Sequence, residues 1–126
     1  MFGEQSIYGQ STVHIDDKKR IILPKYTFAE AGDSLLIVNE GEYFSIHSEK
    51  EFEEKLKQKE IELDKTSSKL RSAKKRELLI MYSSILKRVT CDKQGRITLG
   101  NITDSNELKC IGAREYLILE PQKSKN

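Results

Sequence analysis

The chain predicts an α+β protein with a mainly β core, built from two strand–turn–strand repeats with a helical pair inserted between them. Three observations carry that expectation: a segment is written twice, apolar residues alternate around each copy's turn, and the stretch between the copies switches to helical spacing. Thr12-Val13-His14-Ile15-Asp16-Asp17-Lys18-Lys19-Arg20-Ile21-Ile22-Leu23-Pro24 returns as Arg88-Val89-Thr90-Cys91-Asp92-Lys93-Gln94-Gly95-Arg96-Ile97-Thr98-Leu99-Gly100. Val13, Asp16, Arg20, Ile21 and Leu23 recur as Val89, Asp92, Arg96, Ile97 and Leu99 at an offset of 76 (92 − 16). Glu42-Tyr43-Phe44-Ser45-Ile46 is matched by Glu115-Tyr116-Leu117-Ile118-Leu119 at an offset of 73 (115 − 42), so the second copy has a shorter loop. Two matches in one order argue for internal duplication.

In the first copy Val13 and Ile15 precede the turn, and Ile21 and Leu23 follow it. Period-two spacing with β-branched residues favours strands. Asp16 and Asp92 suit the turn because a short carboxylate bonds backbone amides two residues on. Gly95 supplies a positive φ at little steric cost. Lys19 holds that place in the first copy, where a left-handed conformation costs roughly 1–2 kcal/mol. Arg20 and Arg96 then stand at the edge of a rigid sheet, pointing away from the turn. Their planar forks suit carboxylates, phosphates or a guanine edge. One such turn alone is ordinarily an exposed reversal with a solvated or internally paired arginine. Two at matched positions build a two-sided surface.

Between the copies, Ser48-Glu49-Lys50-Glu51 reads as a capping box opening a helix. Phe52, Leu56 and Leu63 share its apolar face, and Glu51 with Lys55 and Glu53 with Lys57 stand four apart. Lys65-Thr66-Ser67-Ser68 breaks the pattern. A second helix is expected from about Lys69 to Lys87, with an apolar stripe of Leu78, Met81, Tyr82, Ile85 and Leu86 covering the sheet or a neighbouring subunit. Lys65, Lys69, Arg71, Lys74, Lys75 and Arg76 carry no acid among them, which fits either a solvated helix start or a phosphate-contacting flank. The organisation is therefore residues 1–64 (first repeat plus helix) and 65–126 (second helix plus second repeat), forming one integrated unit.

A length of 126 residues suits a single compact unit. The net charge of +2 excludes a generally basic nucleic-acid coat, so a nucleic-acid footprint needs local clustering. Cys91 and Cys110 lack a Cys-x-x-Cys or histidine partner pattern, which leaves a metal site or disulfide framework unsupported. Cys91 alternates with Val89 and is expected buried in a strand. No apolar stretch approaches the roughly 20 residues of a membrane span, and no leader pattern precedes Gly3; the chain reads as cytoplasmic. His14 and His47 are the only histidines, and neither belongs to a nucleophile signature. His14 should face away from the core. With no Gly-rich phosphate loop and no metal spacing, the expectation is no enzyme, no cofactor, no metal and no small-molecule substrate.

The intact turn Asp92-Lys93-Gln94-Gly95-Arg96 with its apolar run, its partial twin from Asp16 to Arg20 followed by Ile21-Ile22-Leu23-Pro24, and the opening Met1-Phe2-Gly3-Glu4 together resemble the MraZ family of SpoVT/AbrB-like DNA-binding proteins. The likeness spans nearly the whole chain. Lys19 in place of glycine, Gly100 opposite Pro24, and the long spacing from Gly3-Glu4 to Asp16 make it a divergent member. The resemblance implies two swapped-hairpin repeats forming a pseudo-twofold double-split β-barrel. It further implies a nucleoid-associated transcriptional regulator that binds short direct repeats in double-stranded DNA, upstream of division and cell-wall genes, as a ring-like homo-oligomer. Arg96 and Arg20 would reach the major groove or its phosphates, and Lys18, Lys19 and Lys93 would contact phosphates. Asp16, Asp92 and Gly95 would build the turns. Base reading rests more on Arg96 than on Arg20, because the second turn is the intact one. Two alternatives stay open. One is a scaffold or interaction module that has lost DNA recognition, favoured by the altered first turn and small net charge. The other is an AbrB-like antitoxin, although such proteins carry one hairpin and an acidic tail, whereas Gln122-Lys123-Ser124-Lys125-Asn126 is short and basic.

Overall fold

The structure is a computed structural model that describes residues 1–123, so the last three residues of the basic tail lie outside it. In chain order the elements are β1 (Gln10–His14), β2 (Arg20–Ile22), a 3-10 turn (Lys25–Thr27), β3 (Ser34–Asn39), β4 (Phe44–Ser48), α1 (Glu49–Asp64), α2 (Ser68–Ser83), β5 (Ile85–Thr90), β6 (Arg96–Thr98), β7 (Glu107–Gly112) and β8 (Leu117–Pro121). The fold is α+β. A six-stranded antiparallel sheet runs β1-β7-β8-β4-β3-β5, and β2 pairs with β6 in a separate two-stranded ribbon.

Strand pairing crosses between the two halves of the chain. β1 pairs with β7 and β5 with β3, while β4 and β8 meet at the centre. Registers match across these pairs: Val13 faces Leu108 as Val89 faces Leu35. The central pair sets Phe44 against Leu119, Ser45 against Ile118 and Ile46 against Leu117.

β3 shows why this sheet forms a two-layered core. Leu35 and Ile37 join a cluster with Ile21, Ile97, Leu108 and Leu119, while Leu36 and Val38 join Phe52, Leu56 and Leu78 under the helices. Alternate side chains of a strand leave opposite faces, so a run of four apolar residues is buried on both sides. Leu63 of α1, Met81 of α2 and Ile85 of β5 pack at the edge of the helical cluster.

Four local expectations are corrected. Ser48 makes no side-chain cap bond; it is buried at the end of β4 and fixed opposite Leu35, so pairing takes precedence over capping. Lys55 reaches across to Glu115 at 2.7 Å instead of serving Glu51 one turn away. The second helix stops at Ser83, not Lys87. There the Ser83 and Ser84 hydroxyls bond the Ile80 and Met81 carbonyls, a local competition that suits a helix end, and β-branched Ile85 and Val89 enter β5. The stripe is accordingly split: Tyr82 and Leu86 are exposed, and the Tyr82 hydroxyl donates to Glu60. Cys91 is buried as expected, one residue beyond its strand, and His14 is 80% exposed at its side chain. Among the described residues, no helix is long and apolar enough to cross a membrane.

Candidate nucleic-acid interface

The two turns are built bond for bond from equivalent atoms. Asp16 N–H donates to the Arg20 carbonyl at 3.0 Å, and Asp92 N–H to the Arg96 carbonyl at 2.9 Å. The Lys19 and Gly95 amides close each turn on the Asp16 and Asp92 carbonyls, both at 3.0 Å. Each aspartate Oδ1 accepts two amides: Lys18 and Arg20 in the first turn, Gln94 and Arg96 in the second. The fourth residue is left-handed in both, with φ 61° at Lys19 and 77° at Gly95.

Each arginine folds back on the aspartate that opens its turn, which corrects the expectation that it points away. Arg20 Nε donates to Asp16 Oδ2 at 2.9 Å and Arg96 Nε to Asp92 Oδ2 at 2.8 Å, with arginine side chains 24% and 27% exposed. The second turn adds a contact that the first does not make: Arg96 Nη2 donates to Gln94 Oε1 at 3.2 Å. The matching position in the first turn is Lys18, which has no acceptor to offer. Both aspartates sit below the usual carboxylate range. The arginine backbone amide is the main cause, outweighing partial desolvation, and the arginine side chain adds to it.

The ribbon joins the turns. Arg20 faces Thr98, Ile21 faces Ile97 and Ile22 faces Arg96. Beyond that pairing, Leu23 N–H donates to the Gly95 carbonyl at 2.9 Å and Leu99 N–H to the Lys19 carbonyl at 2.8 Å. Each turn is thus held by the strand that follows the other. Ile21, Leu23, Ile97 and Leu99 are buried, which leaves Arg20, Ile22, Arg96 and Thr98 on the outward face. Two residues of rise and one strand spacing separate the arginine Cα atoms, roughly 8 Å. Lys18, Lys19 and Lys93 are exposed on the turns.

The structure places Arg20 and Arg96 on one face of the ribbon and the three lysines on its turns, and it adds two residues to that face that the sequence expectation did not name, Ile22 and Thr98. The signal was present: both are the even-numbered positions between buried neighbours in a period-two strand. Ile22 also borders a cleft of about 560 Å³ lined by Val13, Leu23, Pro24 and Tyr26, with His14 and Lys25 at its rim. The basic run from Lys65 to Arg76 lies in the helical layer, on and before α2, which packs on α1 and β5.

His47 and the two cysteines are inward. His47 stacks on Tyr116 with ring centroids 4.8 Å apart, its Nε2 lies 2.8 Å from Ser45 Oγ, and burial pulls its pKa down to about 4. Burial pushes the Cys110 thiol up to about 11 and raises Cys91 as well, which keeps both protonated and unreactive. Among the described residues, no three metal-ligating side chains converge. No protein-family model matches the chain, and no curated protein matches it.

Proposed function

We propose that this chain is a sequence-specific DNA-binding regulator of the MraZ type, reading duplex DNA with the β2–β6 ribbon and its two flanking turns. The observation that carries this reading is the pair of arginines, each locked to its own turn and set side by side on one face. A two-stranded ribbon fits the major groove, and an arginine spacing of roughly 8 Å corresponds to two or three base-pair steps of 3.4 Å. The aspartate decides what each guanidinium does. Its negative charge repels phosphate, while its bond to Nε orients the fork and frees terminal nitrogens for an uncharged acceptor pair such as guanine O6 and N7. Phosphate contacts fall instead to Lys18, Lys19 and Lys93, exposed on the turns.

The interleaved strand order supports the finer fold reading of two swapped-hairpin repeats in a pseudo-twofold double-split barrel. Exposed Leu70, Leu79 and Ile80 on α2 support a homo-oligomer, ring-like in the family it resembles. Repeated units on a direct-repeat operator would bind with avidity beyond any single contact. In this reading the protein works in the cytoplasm on the nucleoid, with no catalytic chemistry of its own. The rival reading, a scaffold that has lost DNA recognition, is favoured by the same internal pairing of Arg20 and Arg96.

Selection of bound sequences from random duplex DNA at physiological salt separates the two. The regulator enriches a spaced repeat, and Arg96→Ala abolishes that enrichment with oligomer size unchanged. Wild-type protein that enriches nothing leaves the scaffold. Equal operator affinity for Arg96→Ala and wild type takes Arg96 out of the site.

A further inference from the structure

The outward face of the ribbon is a two-by-two patch, with Arg20 opposite Thr98 and Ile22 opposite Arg96. Exchanging each residue for its counterpart 76 positions away maps the arginines onto each other. It maps Ile22 onto Thr98. The arginines are thus symmetric and the other diagonal is not.

Ile22 stands out because it is 61% exposed while its chain neighbours Ile21 and Leu23 fill the core. Opposite Arg96 and two residues along from Arg20, it leaves most of its surface uncovered within this chain and borders only the open cleft over Val13 and Tyr26. From the DNA reading above, on which this step rests, we infer that Ile22 and Thr98 give the bound site its direction. Ile22 contacts the C5-methyl group of a thymine in one half, and Thr98 contacts a different base edge in the other.

The chemistry follows from what the major groove offers. Thymine methyl is the one apolar group presented there. Cytosine at the same place lacks that methyl group, so the apolar contact with Ile22 is lost. Threonine has a hydroxyl that both donates and accepts, and so tolerates several edges. Cross-strand neighbours have Cβ atoms about 5 Å apart, which places the thymine read by Ile22 on the base pair next to the one whose guanine Arg96 reads. Arg20 and Arg96 both select guanine, and the Gln94 anchor on Arg96 changes how firmly its guanidinium is held, not which base it names. The Ile22/Thr98 difference makes the two orientations unequal. A direct-repeat operator, in which every unit sits the same way round, needs that inequality.

The test starts from the duplex that wild-type protein selects. Deoxyuridine replaces thymine one position at a time, which removes only the methyl group. One substitution beside the guanine read by Arg96 should weaken wild-type binding about fourfold, the worth of one buried methyl, and the same change in the other half should not. Ile22→Ala should be indifferent to that substitution. Ile22→Thr, which makes the patch symmetric without touching the core, should select a palindromic motif; its melting curve checks that the fold is intact. A wild-type motif that is already palindromic overturns the inference, as does affinity unchanged by every deoxyuridine, and both leave DNA binding itself standing. No enriched motif at all removes the DNA reading, and this inference with it.

Discussion

The turns Asp16–Arg20 and Asp92–Arg96 reach one geometry from different interiors. Their backbone and aspartate bonds correspond one for one, yet the first spans its anchors with Asp17-Lys18-Lys19 and the second with Lys93-Gln94-Gly95. The second turn devotes those positions to order: glycine accepts the left-handed φ, and Gln94 gives the guanidinium a second anchor. The first devotes them to charge, with two exposed lysines and a strained backbone at Lys19. What the fold demands is therefore the anchor pair, aspartate and arginine four residues apart. In the proposed DNA-binding reading, the residues between are free to divide base reading and phosphate attraction unequally.

The buried side of the ribbon should show no such inequality. Ile21 and Ile97 pair directly and each is 1% exposed. Ile21→Ala and Ile97→Ala should each cost about 2–5 kcal/mol by lost contacts and the cavity left behind, and the two costs should agree closely in urea denaturation. A large gap between them would mean that the two halves share a turn geometry without sharing a core.

A second comparison lies in the sheet, where β4 and β8 correspond at an offset of 73 (117 − 44). His47 in β4 is buried against Tyr116 and Phe52, whereas its counterpart Glu120 in β8 is exposed. Burial lowers the His47 pKa from 6.5 to about 4, with Lys55 adding to the shift and Glu115 opposing it. The unfolded chain then binds the extra proton first as pH falls. Stability should be full above pH 6.5 and decline to about pH 4, by up to about 3 kcal/mol from this group. His47→Gln should flatten that limb. The turn aspartates act in a different window: their pKa values are lowered, so their contribution persists above about 3.8 and is lost only below it. Denaturation midpoints between pH 5 and 7 isolate the histidine, because the lowered carboxyls of Glu77 and Glu115 begin to lose their contribution only below about 4.5, and an unchanged slope in the variant would place the acid sensitivity elsewhere.

The features legible in the sequence were those set by local chemistry. The reversal between aspartate and arginine at both sites, the alternation around it, and Phe52 and Leu56 at helical spacing all act within a few residues and form as they read, although each arginine side chain folds back on its aspartate instead of pointing away. What escaped depended on distant partners. Ser48 satisfies a capping pattern but lies opposite Leu35, and Lys55 has Glu51 four residues away but pairs with Glu115. The apolar stripe carried the second helix on to Lys87 because Ile85 and Leu86 fit a helix as well as a strand, and only pairing of β5 with β3 decides between them. The ribbon face was half legible for the opposite reason. Arginines announce a site, whereas an exposed Ile22 becomes informative only once its neighbours are seen to fill the core.

The smallest effect is the most direct test of the unequal turns. Lys19 at φ 61° carries a left-handed cost of roughly 1–2 kcal/mol, and glycine would remove it while adding about 0.5–1 kcal/mol of unfolded-chain freedom. Lys19→Gly should therefore stabilise by about 0.5–1 kcal/mol. Gly95→Lys should destabilise by a similar amount without a clash, since a Cβ placed there meets no atom within 4 Å. The two changes move binding differently. In the proposed DNA-binding reading Lys19→Gly removes one phosphate contact, so the slope of log affinity against log salt should become shallower by about 0.9, with the selected sequence unchanged. Gly95→Lys adds charge beside Arg96 and should steepen that slope instead. Should Lys19→Gly destabilise the fold, the lysine side chain must contribute more than its backbone strain removes, and the first turn would be a packed element in its own right rather than a charged copy of the second.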